Sequence, residues 1–178
     1  APDAARAQSL STLLSTPLFR LYASTDCVGV QLGAAAKNVI SVASAVPIGA
    51  GLGANARAAL ITRGLAEITR LATALGGQAA TLAGLAGLGD LLLTCTGASS
   101  RNYQMGLALG QGMNTQTALN SLPGVAEGVT TAAALQRLAR TPGVETPITD
   151  CIAALMEGQI TLQQATHNLL SRPLKSEV

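Results

Sequence analysis

The chain has 178 residues, of which 48 % are hydrophobic and 11 % charged, so it has room for one domain with a sizeable core, or at most two small ones, and is too apolar for a disordered chain. Aromatic residues make up 2 % with no Trp, and the net charge is +2, which excludes the basic footprint and stacking platform of a nucleic-acid binder. Cys27, Cys95 and Cys151 are odd in number and lack ligand spacing, and with one His in the chain no metal site is expected. That cysteine usage suits a reducing cytoplasm.

Residues 1–8 carry Asp3 and Arg6 and no apolar run, so no signal peptide is expected there. Residues 3–14 have a helical pattern that Pro17 closes. The next segment, FRLYAS at 19–24, alternates apolar and polar side chains and is predicted to be a short strand. No other segment reads as a strand, and one strand makes no sheet, so its partners are expected outside this chain.

From Asp26 onward the pattern is all-helical. Residues 27–46 are apolar almost all round with Lys37 as the single charge, which marks a central buried helix. The uncharged stretch 38–56 contains Pro47, Gly49, Gly51 and Gly53, so it reads as buried helix followed by a glycine loop, not as a membrane span. Asn55 can cap a second long helix that runs to Leu75 and ends at Gly76 and Gly77. Within it, Arg63, Glu67 and Arg70 have the spacing of local ion pairs on one face. Residues 81–96 read as short helical pieces broken by Gly84, Gly87 and Gly89, and residues 100–109 as a further helix stopped by Gly110 and Gly112. Later helices are predicted near 128–140, 147–157 and 161–170, with a frayed tail at 172–178.

Few side chains carry chemistry. Lys37 lies in a helix otherwise free of charge, so it must be desolvated, paired or snorkelling; a desolvated lysine serves as a base near neutral pH. Asn38 beside it can orient a ligand or bond to backbone. Asp90 opens the apolar run 91–93 and, taken alone, reads as an N-cap, while Thr94 four residues on shares its face. Ser99, Ser100, Arg101 and Asn102 join a helix start to a guanidinium, which makes an anion site suited to phosphate or an ordinary capped helix. The glycine patterns at 49–53 and 84–89 follow no strand and are helix breaks, not dinucleotide fingerprints. His167 reads as structural or solvent-exposed, and GVAEG at 124–128 sets a carboxylate between glycines.

Several stretches fall in one familiar order: FRLY at 19–22, TD at 25–26, GV at 29–30, KN at 37–38, AALITRGLAE at 58–67, GLAGLGDL at 84–91, TCT at 94–96, SRN at 100–102 and EG at 127–128. Together they resemble the C-terminal, substrate-binding domain of bacterial-type NAD(P)-dependent glycerol-3-phosphate dehydrogenase. The resemblance implies an all-α, multi-helix domain at 25–172 like that of 6-phosphogluconate dehydrogenase-type enzymes. Residues 1–24 would be the end of the family's dinucleotide-binding Rossmann domain, including a remnant strand, and 173–178 a tail.

It also implies that the whole enzyme interconverts sn-glycerol 3-phosphate and dihydroxyacetone phosphate with NAD or NADP in cytoplasmic glycerophospholipid synthesis, and that this chain alone is inactive. By the same resemblance Lys37 is the catalytic base, with Asp90 and Thr94 holding it and the substrate hydroxyls. Asn38, Ser100, Arg101 and Asn102 bind substrate, and Arg101, Val125 and Glu127 touch the dinucleotide. Departures fall at Gln31, at 33–36 and in the loop 47–55, away from the lysine, aspartate and arginine. Two alternatives stand beside this reading. One is a non-catalytic helical module that binds phosphate or forms a homodimer. The other is a related β-hydroxyacid or 6-phosphogluconate enzyme, which spaces its Lys and Asn four apart where Lys37 and Asn38 are adjacent.

Overall fold

A computed structural model describes residues 1–171. Ten α-helices and one π-helical turn account for the secondary structure, and no strand occurs among the described residues. The helices are α1 (Ala4–Leu14), α2 (Cys27–Gly49), α3 (Ala54–Ala74), α4 (Ala79–Ala83), α5 (Asp90–Thr96), α6 (Arg101–Gly110), α7 (Thr115–Ser121), α8 (Glu127–Arg140), α9 (Pro147–Met156) and α10 (Leu162–Leu170). The π turn, Leu85–Gly89, joins α4 to α5.

The axis of the domain is α2, packed against α3, α5, α6, α8 and α9. Its apolar side chains Val39, Ile40, Val42, Ala43 and Val46 are fully buried, which explains why it is apolar on nearly every side. It is long and apolar enough to cross a membrane by composition, but its partners in the fold are the neighbouring helices. Small residues bring α6 against it at backbone distance. A methyl group on Gly106 would strike the Val42 carbonyl oxygen, and one on Gly110 that of Val46. Asp26 caps α2 by accepting the Gly29 N–H at 2.8 Å and also takes the Gln78 N–H at 2.9 Å, which ties the start of α4 to the start of α2. The Gly29 N–H, the Thr81 hydroxyl and the Gln78 N–H hold its carboxyl below the ordinary aspartate value.

Five expectations change. The predicted strand at 19–24 is not formed, because no second segment lies alongside it to complete a ladder; the carbonyl of Leu21 instead accepts from Ser11 Oγ and its N–H donates to Ser15 Oγ. The central helix continues past Val46 to Gly49 and takes Pro47 inside it, keeping a helical φ there at the loss of one N–H donor. Asn55 lies inside α3, whose N-cap is Gly53 at φ +84°. Residues 115–121 form an unexpected helix, α7, capped by Asn114, with Ala118 as its one buried residue.

Glu67 is not a surface ion-pair partner. It is 2 % exposed and accepts from the Ile148 N–H at 2.8 Å, the Thr149 N–H at 3.0 Å and the Thr149 hydroxyl at 2.7 Å, so it caps α9 from across the core. Burial raises its carboxyl above the ordinary glutamate value; those three bonds and, more weakly, Arg70 pull the other way. The predicted tail lies outside the described residues.

Candidate functional site

One wall of the site is built by α2 and α5. Lys37 Nζ donates to Asp90 Oδ2 at 2.6 Å, with the two side chains 22 % and 33 % exposed. Of the fates open to a lone charge on an apolar helix, pairing is the one adopted. Asp90 does not act as an N-cap, because Gly89 before it is already helical (φ −61°, ψ −51°) and the π turn runs directly into α5. Its carboxylate is thereby left for the lysine. Ser41, one turn after Lys37, donates to the Thr94 carbonyl at 2.9 Å, and Thr94 lies one turn after Asp90. The two helices thus meet in two rungs, one ionic and open to the cleft, one neutral and buried behind it. The Thr94 hydroxyl donates back to the Asp90 carbonyl at 2.6 Å.

The opposite wall is the start of α6. Ser100 is its N-cap, with Oγ accepting from the Tyr103 N–H at 3.3 Å, and the leading N–H groups of the first turn have no acceptor within the helix. Arg101 is exposed, and its guanidinium lies against Gly124, where a methyl group would come within 3.1 Å of Nη1. Asn102 is buried at 8 % exposure; its Nδ2 donates to Asn38 Oδ1 at 3.0 Å and its Oδ1 accepts the Gly128 N–H at 2.9 Å. Asn38 Nδ2 in turn donates to Glu127 Oε2 at 3.2 Å.

Between the walls is an open cleft of about 480 Å³, lined by Lys37, Asn38, Asp90, Thr94, Ser100, Arg101, Asn102 and Glu127. Eight of the nine residues that the resemblance assigns to the site therefore line one cavity. The ninth, Val125, lies outside the lining and is 67 % exposed. Ala34, Leu93 and Ser99 also line the cleft. Leu93 sits within an apolar run that gave no signal of this, and Ser99 was visible as part of the polar helix start. The Gly128 amide carried one faint signal, the glycines around Glu127.

Two buried cysteines lie outside the cleft. Burial pushes the Cys95 thiol up to about 11, and burial, with help from Asp150 and Glu67, does the same to Cys151, so neither is a thiolate nucleophile at neutral pH. His167 is exposed on α10.

Comparison with known proteins gives a consistent result. Residues 26–167 match the family model described as NAD-dependent glycerol-3-phosphate dehydrogenase C-terminus. A glycerol-3-phosphate dehydrogenase (NAD(P)+) of Gluconobacter oxydans is 57 % identical over 171 residues, which cover 96 % of this chain and 53 % of that protein. The corresponding protein of Geobacter sulfurreducens is 52 % identical over 98 % of this chain and 52 % of its own length. The chain thus spans about half the length of the curated relatives it matches. Among solved structures, a glycerol-3-phosphate dehydrogenase of Coxiella burnetii superposes with a TM-score of 0.89 at 40 % identity, over 96 % of this chain and 52 % of that one. One from Saccharomyces cerevisiae gives 0.80 at 24 % identity over 92 % and 48 %, a likeness of fold alone.

Proposed function

This chain belongs to the NAD-dependent glycerol-3-phosphate dehydrogenase C-terminal family, and we propose that it is the substrate domain of an enzyme that interconverts sn-glycerol 3-phosphate and dihydroxyacetone phosphate. The observation that carries this reading is the Lys37–Asp90 pair at 2.6 Å, facing the Arg101 helix start across one cleft. A base and an anion site at opposite walls suit a substrate with a secondary hydroxyl and a phosphate.

In the oxidising direction Lys37, as the amine, takes the proton of the C2 hydroxyl. The ammonium so formed is stabilised by the Asp90 carboxylate. Thr94 already donates its hydroxyl hydrogen to the Asp90 carbonyl, so its lone pairs remain to accept from a substrate hydroxyl. Arg101 and the first N–H groups of α6 hold the phosphate. Asn38 and Asn102 each keep one amide N–H beyond the bond described above, available to substrate oxygens.

NAD or NADP fits the outer rim by the chemistry of its donors. The exposed Arg101 suits a phosphate, Glu127 suits a ribose hydroxyl, and the exposed Val125 offers an apolar surface. When bound, the nicotinamide supplies the two-electron acceptor for the C2 hydride. The free thiols of Cys27, Cys95 and Cys151 accord with the cytoplasmic setting we propose, where the product feeds glycerophospholipid synthesis.

The test is steady-state turnover by the full-length enzyme carrying this domain, with glycerol 3-phosphate and with glycerol. Oxidation is expected to depend on the phosphate, and Arg101→Ala is expected to lower kcat/KM for the phosphorylated substrate by about tenfold to a hundredfold. Equal use of both alcohols would contradict the anion site. Binding of glycerol 3-phosphate with no turnover would favour the non-catalytic phosphate-binding module.

A further inference from the structure

Resting on that reading of the cleft, we propose that Gly128 is a positioning residue which sets the span between the Lys37 wall and the Arg101 wall. Two features at the start of α8 carry this. The Gly128 N–H donates to Asn102 Oδ1 at 2.9 Å, and its bare α-carbon lies so close to α2 that a methyl group would stand 2.5 Å from the Asn38 carbonyl oxygen and 3.1 Å from Asn102 Oδ1. No flexible side-chain end is available there to yield, since the nearest obstacle is the backbone next to the catalytic lysine.

The hydrogen bonds close a triangle among three helices. Asn102 of α6 donates to Asn38 of α2, Asn38 donates to Glu127 of α8, and Gly128 of α8 donates to Asn102. Each amide is oriented by two partners, so the starts of α6 and α8 are fixed to each other and to the middle of α2. The loop leading into α8 also carries Gly124, against which the Arg101 guanidinium rests. A displacement of α8 therefore moves the support of the phosphate-binding arginine and loosens Asn102, while the Lys37–Asp90 and Ser41–Thr94 rungs lie on α2 and α5. Gly128 thus acts on affinity through Asn102 and Arg101 and not through the proton transfer.

The test is a double-mutant cycle in the full-length enzyme, with KM and kcat read separately. Gly128→Ala is expected to raise KM for glycerol 3-phosphate roughly tenfold with kcat within about threefold of wild type, the size of one lost buried hydrogen bond. Asn102→Ala, which also loses its own proposed contact with substrate, is expected to raise KM at least as far, and the double variant to be no worse than about twice Asn102→Ala, because both break one unit. An unchanged KM in folded Gly128→Ala, or effects that multiply in the double variant, would overturn the proposal.

Amide hydrogen exchange supplies an arm that needs neither the Gly128 variant to fold nor any turnover. In Asn102→Ala the Gly128 amide is expected to lose protection while the middle of α8 keeps it; retained protection would overturn the proposal. Wild-type enzyme inactive on glycerol 3-phosphate would count against the proposed function, with the exchange result still deciding the role of Gly128.

Discussion

At the residue scale, two carboxylates set far apart in burial do different work. Asp90 is a third exposed and pairs with Lys37, so Asp90→Asn keeps the shape and removes the charge that, in the proposed mechanism, stabilises the ammonium. Its kcat in the full-length enzyme is expected to fall about a hundredfold with little change in KM; a change in KM alone would assign Asp90 to binding. Glu67 is buried and caps α9. Its folded carboxyl titrates above the ordinary value of 4.5, so the protonated form is the one the fold favours. The stability linked to it is complete below 4.5 and is lost as the pH rises through the higher folded value. Glu67→Gln is therefore expected to flatten the fall of the thermal midpoint on raising the pH above 4.5, and an identical slope in both proteins would refute the assignment. The sequence pattern could not place Glu67 correctly. Its spacing from Arg63 and Arg70 is local, whereas its burial comes from α9, about eighty residues away.

At the scale of elements, the contact of α2 with α6 depends on glycine. Gly106→Ala drives a methyl group into the Val42 carbonyl and is expected to cost about 1–3 kcal/mol, read from the urea midpoint at constant slope. A midpoint equal to wild type would mean that the helices part without penalty. Helix limits were legible where punctuation is local: Asp3 before α1, Gly76 after α3, Ser100 before α6. They were not legible where a local cap lacks an apolar period behind it, or where strand alternation lacks a partner. The run TQTALNS has one buried residue and no apolar period, yet folds as α7. FRLYAS has strand alternation and no partner, so it stays irregular. The site was partly legible. The odd charge of Lys37 and the polar helix start at Ser100 stood out by themselves, while the pairing of Lys37 with Asp90, fifty-three positions apart, followed from resemblance and not from spacing.

At the scale of the whole molecule, a buried helix presents Lys37, the base we propose. Because α2 packs against most of the other helices, Lys37 is presented from the central element of the fold, which suits the proposed base that must meet one hydroxyl. Both walls of the cleft come from this chain and the cleft is open, and proximity of hydride donor and acceptor is what the proposed reaction needs. The isolated chain is therefore expected to show no nicotinamide reduction with glycerol 3-phosphate, while the full-length enzyme carrying it is expected to show it. Turnover by the isolated chain would place the whole reaction within these helices.

The central claim is that Lys37 takes the proton. The most direct test compares Lys37→Met with wild type in the full-length enzyme, following nicotinamide reduction by glycerol 3-phosphate alongside the thermal midpoint. A loss of kcat of roughly 10²–10⁴-fold with the midpoint preserved is the result expected of a removed general base. A folded Lys37→Met enzyme that turns over at the wild-type rate would contradict it.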